Sequence, residues 1–444
     1  MKKGKLYVFV LLFFLVCFGC KDNSNDIVME TYDPSKPVEL TSFYPDSGRI
    51  REKVILEGEN FGSDPEKIKV YFNNKQAAIV GSTGRRMYIV VPRVLKEECN
   101  VSVVMGKDSV VYDQKFRYKV TISVTTVAGD GTYATRTGAL EQSQIAPFQL
   151  DVDQNDNIFV GTDNPISGAA SYSSAGLVRI NESENIMELV NQFPNVNNSR
   201  FEGICADKNT GILYTAVRTG TLEYAIIDPA NGWIPRYRTM TWKSGSIYPI
   251  PTANGNYMGY NPADKHMYTR YSTGQIVKID PETGEAEIIF QTPEQGTSIG
   301  IDFDPTHPNM LYLAGYSSGT MAHGIWRLDI NDPENSWTRL NTSKTSGHRD
   351  GPIEGALFNT PYGLKFDQDG LCYISDYYNY CIRRYDPASG MVETVLGIPG
   401  VKGMKDGGKE EALFSQPTAV GIGMDGTVYI ADRANRRVRK LSIE

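Results

Sequence analysis

Aromatic and hydrogen-bonding side chains recur in this chain just after short apolar runs. Arg218, Arg270-Tyr271, Tyr316, Tyr377-Tyr378-Asn379-Tyr380 and Arg433 all stand in such places. A second set, with Trp242, Lys243, Tyr248, His348, Arg349 and Asp350, sits in longer connecting segments. Aromatic faces pack on C–H surfaces while hydroxyl, amide and guanidinium groups fix polar partners, a pairing that suits sugars and also peptides. The binding candidates are Arg218, Trp242, Arg270, Tyr271, Tyr316, Tyr377, Tyr378 and Arg433.

Residues for bond-breaking chemistry are harder to find. His266, His307, His323 and His348 are dispersed, with no pair at metal-ligand spacing. The stretch 151–157 has the look of a calcium loop, yet no Glu closes it at the right distance, and it occupies a turn position. Neither a nucleophile elbow nor a phosphate loop is present. No catalytic residue, metal or cofactor is therefore assigned. Cys372 and Cys381 are compatible either with a bridge across one hairpin or with two free thiols. The formal charge of −7 and the lack of a basic block argue against nucleic acid as a partner.

The elements that would carry these residues are set by a repeat. Asp350-Gly351 returns as Asp406-Gly407, Ala356-Leu357-Phe358 as Ala412-Leu413-Phe414, Pro361 as Pro417, Asp376 as Asp432, and Arg383-Arg384 as Arg439-Lys440, all at a step of 56 residues. A run of apolar-aromatic-apolar type extends the pattern upstream, with its aromatic at or near 159, 214, 268, 312, 373 and 429. Short alternating strands punctuated by Gly, Asn, Asp and Pro read as antiparallel sheet, and a unit of this size must stack on its own copies. Six sheets around an axis make a six-bladed propeller. Two kinds of connection, from second to third strand and from blade to blade, then emerge on one face and bring the binding candidates together.

The last copy stops after a third strand, 437–441, and lacks a fourth. The segment Val124-Thr125-Thr126-Val127-Ala128-Gly129 resembles the fourth strand of the preceding copy, Val392-Glu393-Thr394-Val395-Leu396-Gly397. It is expected to close the ring by pairing with the last blade, removing two exposed edges.

The pattern Ala356-Leu357-Phe358-Asn359 with Tyr373-Ile374 and Ile382-Arg383-Arg384, matched again over 406–440, resembles the NHL repeat. The front of the chain carries a different signature. Val54-Ile55-Leu56-Glu57-Gly58-Glu59-Asn60-Phe61-Gly62 and the alternating strands around it resemble the IPT/TIG family of immunoglobulin-like domains. Residues 1–19 have the layout of a secretion signal, and Cys17-Phe18-Gly19-Cys20 resembles a bacterial lipobox, which implies lipidation at Cys20. Loss of Lys2, Lys3 and Lys5 would take the formal charge to about −10.

The expected organisation is all-β: a signal at 1–19, a lipidated Cys and tether at 20–36, an IPT/TIG β-sandwich at 37–120, and an NHL-type propeller at 121–444. This order resembles accessory surface lipoproteins of SusC/SusD-type uptake systems in Bacteroidota. That resemblance implies outer-membrane anchoring through lipid and binding of a polysaccharide or oligosaccharide, with a transporter or another surface lipoprotein as partner. A propeller lyase or hydrolase acting on glycan or peptide, and a protein–protein scaffold, are the alternatives.

Overall fold

The computed structural model describes residues 29–94, 98–119, 121–162, 176–192, 201–218, 222–251, 255–316 and 319–443. The chain divides into two compact units, one ending at Val120 and one beginning at Thr121. The expected leader, Cys20 and the tether as far as residue 28 lie outside the described residues.

The first unit is a sandwich of two sheets. One holds Glu39–Tyr44, Lys53–Glu59, Arg86–Val90 and Ala78–Ser82; the other holds Ser47–Gly48, Asp108–Tyr118, Glu98–Met105, Ile68–Phe72 and Lys75–Gln76. Alternation along Lys53–Glu59 sends Val54 and Leu56 inward, where they meet Val70, Phe72 and Phe116 in one core. The Gly58-Glu59-Asn60-Phe61-Gly62 motif has a local physical role. Asn60 sits at φ 64°, which Asn tolerates, and its amide bonds the backbone of Asp33 and Lys36 while Phe61 is buried beside it.

The second unit contains six sheets among the described residues. Their innermost strands are Pro147–Val152, Phe201–Ala206, Gly255–Asn261, Ser298–Phe303, Pro361–Phe366 and Pro417–Ile422. Each packs against the next and the last against the first, so the inner strands form a closed ring. Glycines allow the close approach. A Cβ on Gly300 would lie 2.8 Å from the backbone of Tyr362 and Leu364, and one on Gly363 2.7 Å from the Thr418 carbonyl.

The ring closes as the sequence led us to expect. Ile122–Ala128 pairs antiparallel with Arg437–Ile443, Val124 opposite Leu441 and Thr126 opposite Arg439. The likeness of 124–129 to 392–397 also has a cause. Thr126 N and Thr394 N donate to Asp406 and Asp350, the aspartates of the two repeated Asp-Gly pairs.

The other anchors of the 56-residue repeat are partners of the same aspartates. Arg383, fully buried, pairs with Asp350 at 2.6 Å and with Asp376 at 2.9 Å. Arg439 pairs in the same way with Asp406 at 2.5 Å and Asp432 at 2.8 Å. Asp376 and Asp432 also accept from Asn379 and Asn435 in the following turns. Burial lifts the Asp432 carboxyl to about 6, against the pull of Asn435, Ser415 and Arg439.

The recurrent aromatics mark one level of the ring. Phe159, Tyr214, Tyr268, Tyr312, Tyr373 and Tyr429 stand opposite Asp151, Cys205, Gly259, Asp302, Lys365 and Gly421 of the inner strands. Three of these rings pack on an aromatic of the next blade: Tyr214 on Tyr260, Tyr268 on Phe303, and Tyr312 on Phe366, with centroids 4.6–4.9 Å apart. Such pairs contribute roughly 0.5–1.5 kcal/mol each beyond their buried area. All four described cysteines, Cys99, Cys205, Cys372 and Cys381, are free thiols. Cys372 faces Tyr385 and Cys381 faces Asp376, so the two do not oppose each other in the hairpin.

Candidate functional site

The axis of the ring is pinched at its middle. Leu150, Ile204, Met258, Ile301, Leu364 and Val420, one from each inner strand, surround a void of about 30 Å³. That is room for a water or two and for no ligand, by the roughly 10–15 Å³ that one water needs. This narrow waist, which Gln149 and Lys365 also line, separates two mouths of different chemistry.

At the first mouth, where the inner strands begin, rings from four blades converge. Tyr362 is the hub. It stacks on Tyr377 at 5.3 Å, takes Phe148, Tyr257 and Tyr316 edge-on at 5.6–6.4 Å, and has its hydroxyl 3.3 Å from that of Tyr257. Tyr378 meets Tyr377 at 4.7 Å and is exposed, and the Arg433 guanidinium lies 5.1 Å over the Phe148 ring. Phe148, Tyr257, Tyr362 and Tyr377 are buried, so they form a floor. Tyr316, Tyr378 and Arg433 keep surface in water. The turn carrying Tyr377–Tyr380 is fixed from beneath by the Arg383–Asp376 pair, and the turn carrying Arg433 by Arg439–Asp432. The connections 163–175, 193–200, 219–221, 252–254 and 317–318 lie outside the described residues.

The sequence-expected residues thus divide. Tyr316, Tyr377, Tyr378 and Arg433 come together at this mouth. Arg218 ends the strand Leu213–Arg218, and its side chain lies outside the described residues. Three others belong elsewhere. Arg270 is buried, and its guanidinium donates to the carbonyls of Gly296 and Glu294 and to Thr292 Oγ1. It pins the connection to the fourth blade, and burial brings its pKa down to about 10. Tyr271 has no exposed surface and packs in the core with Trp242, 6.3 Å away. Trp242 itself lies on Thr241–Trp242, a short strand running parallel to the outer strand Glu285–Gln291. The blade-to-blade connection hugs the sheet's outer edge there, which carries Trp242 away from the axis.

The second mouth, at the other ends of the inner strands, opens into a cavity of about 380 Å³. Its floor is charged. Lys365 Nζ lies 2.8 Å from Asp151 and 3.6 Å from Asp302, so side chains of the fifth, first and fourth blades meet across the axis. Lys208 Nζ donates to the carbonyls of Val152 and Ile422 and lies 3.8 Å from Asp151. The Lys365 and Asp302 side chains are 13% and 11% exposed, while Asp151 behind them is fully buried. Burial opposes every one of these charges. At Lys365 the two carboxylates outweigh it and raise the pKa; at Asp151 the two lysines outweigh it and hold the carboxyl below its usual range. At Asp302 burial prevails and raises the pKa, and at Lys208 it lowers it.

Sequence reasoning passed over this cluster, treating Asp151 as part of a turn. The turn is real but begins at Asp153, whose carboxylate accepts from the amides of Asn155 and Asn157. A usable signal existed. Lys365 and Asp302 interrupt apolar inner strands at the position opposite the recurrent tyrosines. Tyr362 and Phe148 were legible too, since each follows the proline that opens its inner strand. Among the described residues no group of three or more His, Cys, Asp or Glu could hold a metal ion.

Comparison with known proteins bears on the architecture. Residues 37–118 match the IPT/TIG domain family. A segment covering 28% of the chain is 28% identical over 144 residues to NHL repeat-containing protein 2 of Bos taurus. Another covering 22% is 33% identical over 97 residues to Protein SUPPRESSOR OF QUENCHING 1, chloroplastic, of Arabidopsis thaliana. The chain spans only 20% and 9% of these two relatives' lengths. Among solved structures, a Bacteroides thetaiotaomicron protein of unknown function is 24% identical with a TM-score of 0.79, over 94% of this chain and 100% of that one. An auxiliary nutrient binding protein from the same organism is 22% identical with a TM-score of 0.58, over 93% and 99%. Strand pairing, family match and structural likeness agree on an IPT/TIG domain followed by a β-propeller of NHL-type repeats.

Proposed function

We propose that this chain is a non-catalytic binding protein for an oligosaccharide or polysaccharide nutrient. The observation that carries the reading is the first mouth, where exposed Tyr378 and half-buried Tyr316 and Arg433 stand over a floor of buried rings. Rings of this kind offer flat faces to sugar C–H surfaces, and Arg433 with the tyrosine hydroxyls supplies directional hydrogen bonds. The description of a structural neighbour as an auxiliary nutrient binding protein supports the same class of role. In this reading lipid on Cys20 ties the chain to the outer membrane, the IPT/TIG domain spaces the propeller from the anchor, and a SusC/SusD-type transporter receives the cargo.

The test is a glycan and peptide screen of the purified protein followed by calorimetry on every hit. A glycan whose affinity drops in both Tyr316→Ala and Tyr378→Ala supports the mouth as its site. Unchanged glycan affinity in both variants, or release of a shortened product from the bound glycan, removes the reading. Radiolabelled fatty acid incorporation that survives Cys20→Ala would remove the anchoring part alone.

A further inference from the structure

We infer that the second mouth is a separate ligand site, built for a short uncharged oligosaccharide with one ring seated in the axial cavity. The inference does not depend on the aromatic mouth, from which the narrow waist divides it.

Its volume of about 380 Å³ falls within the roughly 300–1,000 Å³ of small-molecule pockets, at the lower end. The polar groups converge from different blades on one small floor, and they are mutually paired before any ligand arrives. That pairing selects the ligand. A free anion would meet Asp302, Asp304 and Asp367 on the lining, and a free cation would meet Lys208 and Lys365. Either would have to break an existing ion pair and leave a buried partner unmatched, which is strongly unfavourable. A hydroxyl has no such penalty. It donates and accepts at once, so it can lie between the Lys365 ammonium and the Asp302 carboxylate and join both in charge-assisted hydrogen bonds. Above the floor the walls are Phe303, Phe366, Pro262, Pro305 and Met424, apolar surface for the C–H face of a ring.

A single ring does not use all the space. A second recess of about 600 Å³ shares Tyr260 and Pro262 with the axial cavity and runs out between the second and third blades. Tyr260 forms the step between the two recesses. It is held by stacking on Tyr214 at 4.6 Å and by a hydroxyl bond to Asp207 at 3.4 Å. The outer recess carries Asp207, Asp280, Glu282, Lys265 and His266, hydrogen-bonding groups suited to further hydroxyls. The cleft therefore fits a chain of two or three rings better than a monosaccharide.

The experiment uses the purified protein and a panel of neutral mono-, di- and trisaccharides in gluco, galacto, manno and xylo series, with the corresponding uronates and leucine as charged probes. Binding is read by calorimetry. Ala263 is exposed on the lining, so Ala263→Trp can fill the cavity with its melting temperature unchanged. We expect a neutral di- or trisaccharide to bind at least tenfold tighter than its monosaccharide and its uronate. Ala263→Trp should weaken that binding at least tenfold, and Tyr378→Ala at the opposite mouth should leave it within twofold. If no neutral saccharide binds, or Ala263→Trp leaves the affinity within twofold, or a uronate or leucine binds tighter, the assignment is overturned. Loss of affinity in Tyr378→Ala but not in Ala263→Trp would return all glycan binding to the aromatic mouth.

Discussion

The two mouths of the propeller are built on the same six strands and answer the same demand in opposite ways. Both ends of a ring must fill the axis where blades converge. At one end the chain uses stacked aromatic rings around Tyr362, and at the other a lattice of Lys365, Asp151, Asp302 and Lys208. Rings fill space through area and tolerate exposure. Buried charges hold position through a few short contacts and fail when one is lost. The difference teaches that two kinds of packing leave two kinds of surface: the charged mouth fastens the ring and offers ion pairs already made, and the aromatic mouth offers ring faces.

The largest effect expected is at Lys365. Lys365→Met leaves the fully buried Asp151 with Lys208 at 3.8 Å as its remaining cation and should cost about 3 kcal/mol in urea unfolding, the low end of the range for a broken buried pair. Adding Asp151→Asn should return a large part of it; a loss under about 1 kcal/mol in the single variant would show that the charged floor fastens nothing. Next is Arg383→Met, beneath the aromatic mouth. A cost of about 3 kcal/mol is expected, at the low end of that range because Asp350 is 38% exposed and stays solvated. Because Asp376 anchors the Tyr377–Tyr380 turn, the variant should also weaken any ligand of that mouth and spare one bound at the other.

Smaller still are the exposed rings. Tyr316→Ala and Tyr378→Ala should each weaken the aromatic-mouth ligand about tenfold, close to 1.4 kcal/mol, in calorimetry. Tyr378→Ala should lower unfolding free energy by about 1 kcal/mol or less, since its ring is 40% exposed and makes one edge contact with Tyr377. The smallest effect belongs to Trp242→Ala, whose position on an outer edge predicts glycan affinity within twofold of the parent. A tenfold loss there would move the site away from the axis and dissolve the contrast between the mouths.

What the sequence disclosed follows from what repeats. Asp350, Asp376 and Arg383 were visible at their step because the last two copies build the same Asp–Arg–Asp triad beneath their turns. The closing strand was visible because Thr126 and Thr394 satisfy equivalent aspartates. The axial residues were hidden for the opposite reason. One level of the ring holds Asp, Cys, Gly, Asp, Lys and Gly in turn, so no single residue type marks it, although the charges satisfy one another across the axis. Arg270 misled because a polar residue ending a strand can serve nearby backbone as readily as a ligand, and Tyr271 because a ring in that place can be packed wholly into the core. Trp242 misled because a connection's length says nothing about whether it crosses a mouth or follows an edge.

The pairing of Ile122–Ala128 with Arg437–Ile443 also sets an order in time. As the chain is made from its N-terminal end, the first strand of the ring must wait for a partner more than 300 residues later. Blades can form one by one as their local hairpins emerge, but joining the two ends requires the longest loop closure in the unit. Until then the axis is an open arc, in which Lys365 lacks Asp151 and Tyr362 lacks Phe148, both contributed by the first blade. A molecule that recognises either mouth would therefore discriminate finished chains from nascent ones, and would make a conformational probe of completed synthesis.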